Sequence, residues 1–207
     1  MAANAEPLVF IVSGPSGSGK STLVQSILAL PDTLLSVSCT TRPPRHTESG
    51  GKWYNFVSEQ EFERMKQADE FLEFAQVFGK NWYGTPRRWL DEARQAGKNL
   101  VLEIDVQGAR QVKEKLPAAI AIFIVPPSRA ELEKRIRSRG QDSDDEIARR
   151  LERARQELER YTGYDYIVIN DDRERAVREV QSIVLAARCA LDRNRDRVIE
   201  ILNSFGG

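Results

Sequence analysis

Apolar residues along this chain fall into two patterns. Short continuous runs at Leu8–Ser13 (LVFIVS), Asn99–Asp105 (NLVLEID), Ala119–Val125 (AIAIFIV) and Tyr166–Asn170 (YIVIN) predict strands covered on both faces. Elsewhere apolar residues recur every three or four positions. Ser21–Leu30 carries Leu23, Val24, Ile27 and Leu28 on one side and stops at Pro31. Arg175–Ala190 carries Val177, Val180, Ile183, Val184 and Ala187 in the same way. Buried strands alternating with helices predict an α/β fold with a mainly parallel central sheet and crossover helices on its faces.

Two regions interrupt that rhythm. Between Ser36 and Gly84, aromatic and β-branched runs (SVSCTT, WYNFVS, FLEFAQVF) are joined by Pro, Gly and charged residues. They predict a small mixed sheet inserted into the core, with a helix at Ser58–Lys66. Ser128–Tyr161 is almost wholly charged and helical. Ser143 and Glu146 form a capping box there, and Ile147, Leu151, Ala154, Leu158 and Tyr161 make a narrow apolar stripe. The expected organisation is one domain with a core of 8–35, 86–127 and 162–207, an insert of 36–85 and a lid of 128–161. The final stretch, with Val198, Ile199, Ile201 and Leu202, fits either a short helix or a contact with a partner.

Composition changes this picture little. The 207 residues are 41% hydrophobic and 30% charged, and 31 Lys and Arg balance 31 Asp and Glu. No overall field favours nucleic acid or an anionic membrane, so any anion site must be local. Cys39 and Cys189 have neither metal nor redox spacing, and two reduced, mostly buried thiols are expected. Met1–Pro7 lacks the basic and apolar regions of a signal peptide, and no apolar run approaches membrane-spanning length. A cytoplasmic protein with neither nucleic acid nor membrane as partner is the expectation.

The first candidate chemistry follows the first strand. Gly14-Pro15-Ser16-Gly17-Ser18-Gly19-Lys20-Ser21, continued by Thr22, fits G-x-x-x-x-G-K-[ST]. Chance gives this pattern in about one chain in a hundred of this length. It lies between a strand and a helix, where curled backbone N–H groups and a helix N-terminus face phosphate oxygens. Lys20 would bridge the β- and γ-phosphates of a nucleoside triphosphate and Ser21 would hold Mg²⁺. Such a loop does not name the acceptor. Asp105-Val-Gln-Gly108 matches the D-x-x-G of a GTPase switch, but the guanine-reading N-K-x-D of a GTPase does not occur.

The insert carries the acceptor signal. Arg42 and Arg45, in a loop stiffened by two prolines, are spaced to grip one dianionic phosphate, and Tyr54 can add a hydroxyl donor. Glu73 lies in an otherwise apolar FLEFA segment. A carboxylate there can accept the N1–H and amino hydrogens of guanine, whereas adenine presents an acceptor at N1. The plain alternative for Glu73 is the polar face of an edge strand.

From Val9 to about Ala187 the chain resembles the guanylate kinase family. The resemblance is carried by Ser36-Val-Ser-Cys-Thr-Thr-Arg42-Pro-Pro-Arg45, the Gly50-Gly51 turn, Tyr54-Asn-Phe56-Val57, Phe71-Leu-Glu73, Tyr83-Gly-Thr85, Leu102–Gly108, the arginine-rich lid and Ile169-Asn170-Asp171. It implies ATP-dependent phosphorylation of GMP and dGMP, with Mg²⁺ as cofactor. It gives Glu73 the guanine-reading role, helped by the hydroxyls of Ser38 and Thr85, adds Tyr83 to the acceptor site and places Asp105 close to the base or, through water, to the metal. Arg139 and Arg150 become the lid arginines that close on the transferring group together with Lys20 and Arg45. Arg135 would lie against adenine, with Asn170 and Asp171 bordering its pocket. The sequence departs from the family at Thr47, where glycine is usual, and at Trp82, where tyrosine is usual.

No nucleophile–base constellation accompanies the one histidine, His46. This fits the chemistry, because the attacking atom is an oxygen of the acceptor's phosphate, whose second pKa is about 6. Two rival readings fit the sequence less well. A family-like binding module would have a degraded phosphate loop, whereas Lys20, Ser21, Arg45, Arg139 and Arg150 are all present. A kinase of the same fold acting on another small phosphate, or on AMP, is disfavoured by Glu73 with Ser38 and Thr85.

Overall fold

In the computed structural model, residues 6–44, 54–77, 81–138 and 143–205 are described. Strand β1 (Val9–Ser13) leads through the phosphate loop into helix α1 (Lys20–Leu28) and a short strand β2 (Thr33–Leu35). The insert contributes β3 (Cys39–Thr40), β4 (Asn55–Phe56), α2 (Glu59–Gln67), β5 (Phe71–Val77) and β6 (Asn81–Pro86). The core resumes with α3 (Arg88–Gln95), β7 (Asn99–Glu103), α4 (Val106–Lys115) and β8 (Ile120–Val125). Then come α5 (Arg129–Arg137), α6 (Asp144–Leu158), β9 (Tyr166–Ile169), α7 (Arg173–Arg188) and α8 (Leu191–Phe205).

The core sheet has the order β2-β7-β1-β8-β9 and every pairing in it is parallel. Its central strand β1 is buried throughout, as its unbroken apolar run predicts. One layer of side chains, including Phe10, Val12, Leu23, Ile27, Ile122 and Val180, packs against α1 and α7; the other, including Ile11, Leu100, Leu102 and Val112, packs against α3 and α4. The phosphate loop therefore emerges from the middle of the sheet at its carboxyl edge. The strand order reverses there, with β7 on one side and β8 on the other.

The structure departs from two expectations and adds one strand that the pattern does not show. β9 is not covered on both faces: Val168 is buried, but Tyr166, Ile167 and Ile169 are 45–50% exposed, because β9 is an edge strand. β2 was not foreseen, being three half-buried residues without a period of their own. Of the two thiols, Cys39 is buried and Cys189 is exposed. The final stretch is α8, a full helix with Leu191, Leu202 and Phe205 exposed and no residue buried.

The insert forms the second sheet, β4-β3-β6-β5, parallel at β3–β4 and antiparallel elsewhere. It has its own small core of Cys39, Phe62, Met65 and Phe71, in which the rings of Phe62 and Phe71 stack at 4.6 Å. Ser58 caps α2 by accepting from the Glu61 N–H. In the lid, Ser143 caps α6 by accepting from the Glu146 N–H, the forward half of the expected capping box. Ile147, Leu151 and Ala154 bury against Leu132 and Ile136 of α5, while Tyr161, beyond the end of α6, is exposed. Among the described residues no helix is long and apolar enough to cross a membrane.

Candidate functional site

The site is built around the first turn of α1. Its N-cap, Gly19, has φ +94°, and no side chain caps the helix. A Cβ on Gly19 would lie 2.2 Å from the Asn170 amide nitrogen, so this position combines a left-handed backbone with a close approach. The uncapped N–H groups and the helix dipole make an anion cradle. Lys20 Nζ donates to the carbonyls of Gly14 (2.5 Å) and Pro15 (3.0 Å), so the ammonium lies against the loop it would serve. Ser21 Oγ donates to Glu103 Oε1 at 2.6 Å.

Glu103 was missed by sequence reasoning. The available signal was a charged residue in the last position of a buried strand, two before Asp105 and hence of the same strand parity. Asp105 caps α4, its Oδ1 accepting from the N–H groups of Gln107 (3.0 Å) and Gly108 (2.9 Å). Its Oδ2 is buried without a hydrogen-bond partner and lies 4.0 Å from Arg153 Nη2.

On one side of the loop is a cavity of about 360 Å³ lined by residues that include Gly17, Gly19, Thr22, Arg135, Asn170 and Asp171. Arg135 is fixed there by Glu131 Oε1 (2.9 Å) and by the Asn170 carbonyl (2.9 Å). Asn170 itself is buried, and its amide donates to the Ser18 carbonyl at 2.7 Å, tying the last strand to the loop. Asp171 is engaged by the Arg175 side chain. From the lid, Arg150 Nη2 donates to Ser16 Oγ at 2.7 Å, which brings α6 onto the loop.

The inserted sheet meets the core where β5 crosses the start of α4. Glu73 lies on edge strand β5, as the plain alternative held, yet it is only 4% exposed because α4 covers it. Gly108 makes that cover possible: a Cβ there would be 2.6 Å from Glu73 Oε2. Thr85 Oγ1 lies 2.6 Å from Glu73 Oε1, and Ser38 Oγ lies 3.2 Å from Thr85 Oγ1. An ionised carboxylate only accepts, so Thr85 gives its proton to Glu73, and Ser38 in turn donates to Thr85. Burial, reinforced by the charge of Asp105, pushes the Glu73 carboxyl up to about 7 against the opposing Thr85 bond.

Arg42 projects among aromatic rings of the same sheet. Its Nε donates to the Tyr83 hydroxyl at 3.1 Å, and its guanidinium lies 5.6 Å from the centre of the Tyr54 ring. Tyr54 and Tyr83 meet edge to face at 5.6 Å, so the three side chains form one group. Of the predicted site residues, Arg45 and Arg139, like Thr47 of the turn, lie outside the described residues.

A parallel sheet with a phosphate loop on its central strand, an inserted sheet carrying a recessed carboxylate and a helical lid reaching that loop define a nucleoside monophosphate kinase, a transferase. The family model for guanylate kinase matches residues 6–187. The guanylate kinase of Caldanaerobacter subterraneus subsp. tengcongensis is 45% identical over 202 residues, covering 97% of this chain and 98% of that one. The guanylate kinase of Escherichia coli K12 is 45% identical over 196 residues, covering 93% and 94%. A crystal structure of guanylate kinase from Anaplasma phagocytophilum superposes with a TM-score of 0.77 at 32% identity, covering 95% of each chain. The chain belongs to the guanylate kinase family.

Gly108→Ala is expected to raise KM for the acceptor at least tenfold while leaving KM for ATP within twofold. The added methyl must displace a buried carboxylate rather than a mobile chain end. Steady-state kinetics with each substrate varied in turn measures the split.

Proposed function

We propose that this enzyme transfers the γ-phosphoryl group of ATP to GMP and dGMP, as a cytoplasmic enzyme of purine nucleotide metabolism. The observation that carries the acceptor assignment is the Ser38–Thr85–Glu73 hydroxyl–carboxylate chain, whose Thr85 and Glu73 are buried where the insert meets α4. An ionised Glu73 aligns one acceptor with the two adjacent N–H donors of guanine. A buried acceptor rejects a base that offers no such donors, by a factor that can reach ~10⁴.

ATP binds on the loop Gly14–Thr22, with adenine in the cavity beside Arg135, Asn170 and Asp171. The loop amides and Lys20 hold the β- and γ-phosphates. The acceptor phosphate is gripped by Arg42 and Arg45 with Tyr54 and Tyr83, and Asp105 stands beside the base. Arg150 and Arg139 close with the lid and stabilise charge on the equatorial oxygens of the moving group. Since the acceptor phosphate is already ionised near neutrality, positioning and charge stabilisation suffice and no general base is needed. Closure also excludes water, the competing acceptor.

Mg²⁺ fits the donor set. Ser21, hydrogen-bonded to Glu103, and Asp105, two residues beyond Glu103, offer a hydroxyl and two carboxylates, hard oxygen ligands suited to an ion that keeps most of its waters. Bound there, it would neutralise charge on the β- and γ-phosphates.

The test is production of ADP from ATP with GMP, dGMP, AMP, CMP or UMP as the second substrate. GMP and dGMP are expected to exceed the others by at least 10³-fold in kcat/KM, as expected of a site built to hydrogen-bond one base. A chelator in place of Mg²⁺ should bring turnover to background. Equal rates with all the monophosphates would overturn the assignment.

A further inference from the structure

Helix α6 turns two faces to the rest of the molecule. Ile147, Leu151 and Ala154 bury against α5. Arg150, Arg153 and Glu157, spaced three and four apart, form a second, ionic face. Arg150 reaches Ser16 of the phosphate loop. One turn on, Arg153 Nε donates to Glu157 Oε1 at 2.9 Å, while its Nη2 lies 4.0 Å from Asp105 Oδ2. All three side chains are largely covered, Glu157 most of all at 13% exposure.

The electrostatics of this stripe are ordered. Burial raises the Glu157 carboxyl; the Arg153 and Lys20 charges pull it down, and the Asp105 charge pushes it up. Positive and negative groups thus alternate from Lys20 on the phosphate loop, through Glu157 and Arg153 on the lid, to Asp105 at the acceptor side. Glu157 lies on α6 and Asp105 caps α4, and in partly buried surroundings the two carboxylates repel more strongly than in water. A guanidinium suits the position because its fork can address two carboxylates at once.

We propose that Arg153 is a positioning residue for phosphoryl transfer: it couples lid closure to the acceptor site by bridging Glu157 and Asp105, which would otherwise oppose one another across the closing cleft. This rests on the assignment of Asp105 to the acceptor site. Arg153 acts through these two carboxylates and not on the phosphates.

Arg153→Gln, with the full chain assayed on ATP and GMP, is expected to lower kcat/KM for GMP about tenfold and to leave KM for ATP within twofold, the scale of one partly buried charge contact. A second substitution, Glu157→Gln, removes the repulsion and should restore the double variant to within about threefold of Glu157→Gln alone. A helix-packing role would show no such rescue. Arg153→Lys keeps the charge but not the fork, so it should fall between the parent and the glutamine variant, and it tests the same claim should the glutamine variant fold poorly. The proposal is overturned if Arg153→Gln matches the parent, if its loss persists in the double variant, or if lysine is as damaging as glutamine. The parent's own turnover of GMP keeps the two claims apart. A parent inactive on GMP removes the acceptor assignment and this proposal together, whereas an active parent with an indifferent Arg153→Gln removes only the coupling.

Discussion

Glu73→Gln is expected to lower kcat/KM for GMP by about 10²–10³ and to make the protein more stable at alkaline pH. The first effect follows from what the side chain presents to the base. Ionised Glu73 can accept from both N1–H and the amino group of guanine. Glutamine keeps the shape but turns an N–H donor toward one of them, so a donor meets a donor in a buried site. Thr85 can still donate to the remaining carbonyl oxygen, so the local fold survives.

The second effect is a linkage argument. Folding raises the Glu73 carboxyl to about 7 from an ordinary value of 4.5. Below about 4.5 it is neutral in both states and costs nothing. Between there and 7 the folded state holds a proton that the unfolded state has lost, so stability falls as pH rises, by roughly 3 kcal/mol in full before relaxation of the site. Glutamine carries no such cost. The variant should therefore melt several degrees higher than the parent at pH 8 and close to it below pH 5.

On the proposed role of Glu73, the same titration is expected to govern activity in the parent. Below 7 the free enzyme holds a neutral Glu73, which cannot accept both guanine donors. kcat/KM for GMP should thus climb through pH 7 and level off above 8. The Glu73→Gln enzyme should lose that inflection and keep only the one near 6 that belongs to the acceptor's phosphate. An unchanged inflection near 7 would show that another group is responsible. Differential scanning calorimetry and a pH–rate profile read the two arms independently.

What could be read from the sequence followed from how each feature is encoded. Strand β1 and the phosphate loop are written locally, one as an unbroken apolar run and the other as glycines whose backbone conformation no other residue adopts cheaply. The parallel α/β core, the inserted sheet and the lid were all legible, because each has its own periodicity. β9 shows where this fails. Its YIVIN run has the composition of a central strand, but composition does not say which strand ends a sheet. β2 was invisible because it is held by pairing with β7 and not by a pattern of its own.

Within the site, Glu73 was legible as an anomaly, a charge in an apolar segment. Its environment was not. Burial is imposed by Gly108, thirty-odd positions away, whose missing side chain leaves room for the carboxylate beneath α4. Glu103 and Arg153 were overlooked for a related reason. Glu103 closes an apolar strand and Arg153 sits among the arginines of a charged helix, and only the tertiary partner, Ser21 in one case and Asp105 in the other, sets each apart from a solvated charge. Arg135 and Asn170 each stand out in the sequence, but their mutual hydrogen bond, which joins the lid to the end of the last strand, has no sequence signature.

Lys20→Ala should have the largest effect of all, reducing turnover by at least 10⁴-fold while leaving GMP binding within about threefold. Nζ lies against the carbonyls of Gly14 and Pro15, at the mouth of the uncapped helix where the phosphates would sit. In transfer, charge spreads over the equatorial oxygens of the moving group, and a preorganised cation there counts for far more than one in water. Alanine removes that cation without touching the residues proposed to read guanine, which lie on β5 and β6 and just before β3. Calorimetric titration with GMP should accordingly give a near-parental affinity for a variant with no measurable ADP production. If GMP binding were lost together with turnover, the lysine would belong to the acceptor site, and the division of labour between loop and insert would have to be redrawn. If turnover survived, the loop would not be holding the transferring phosphate at all.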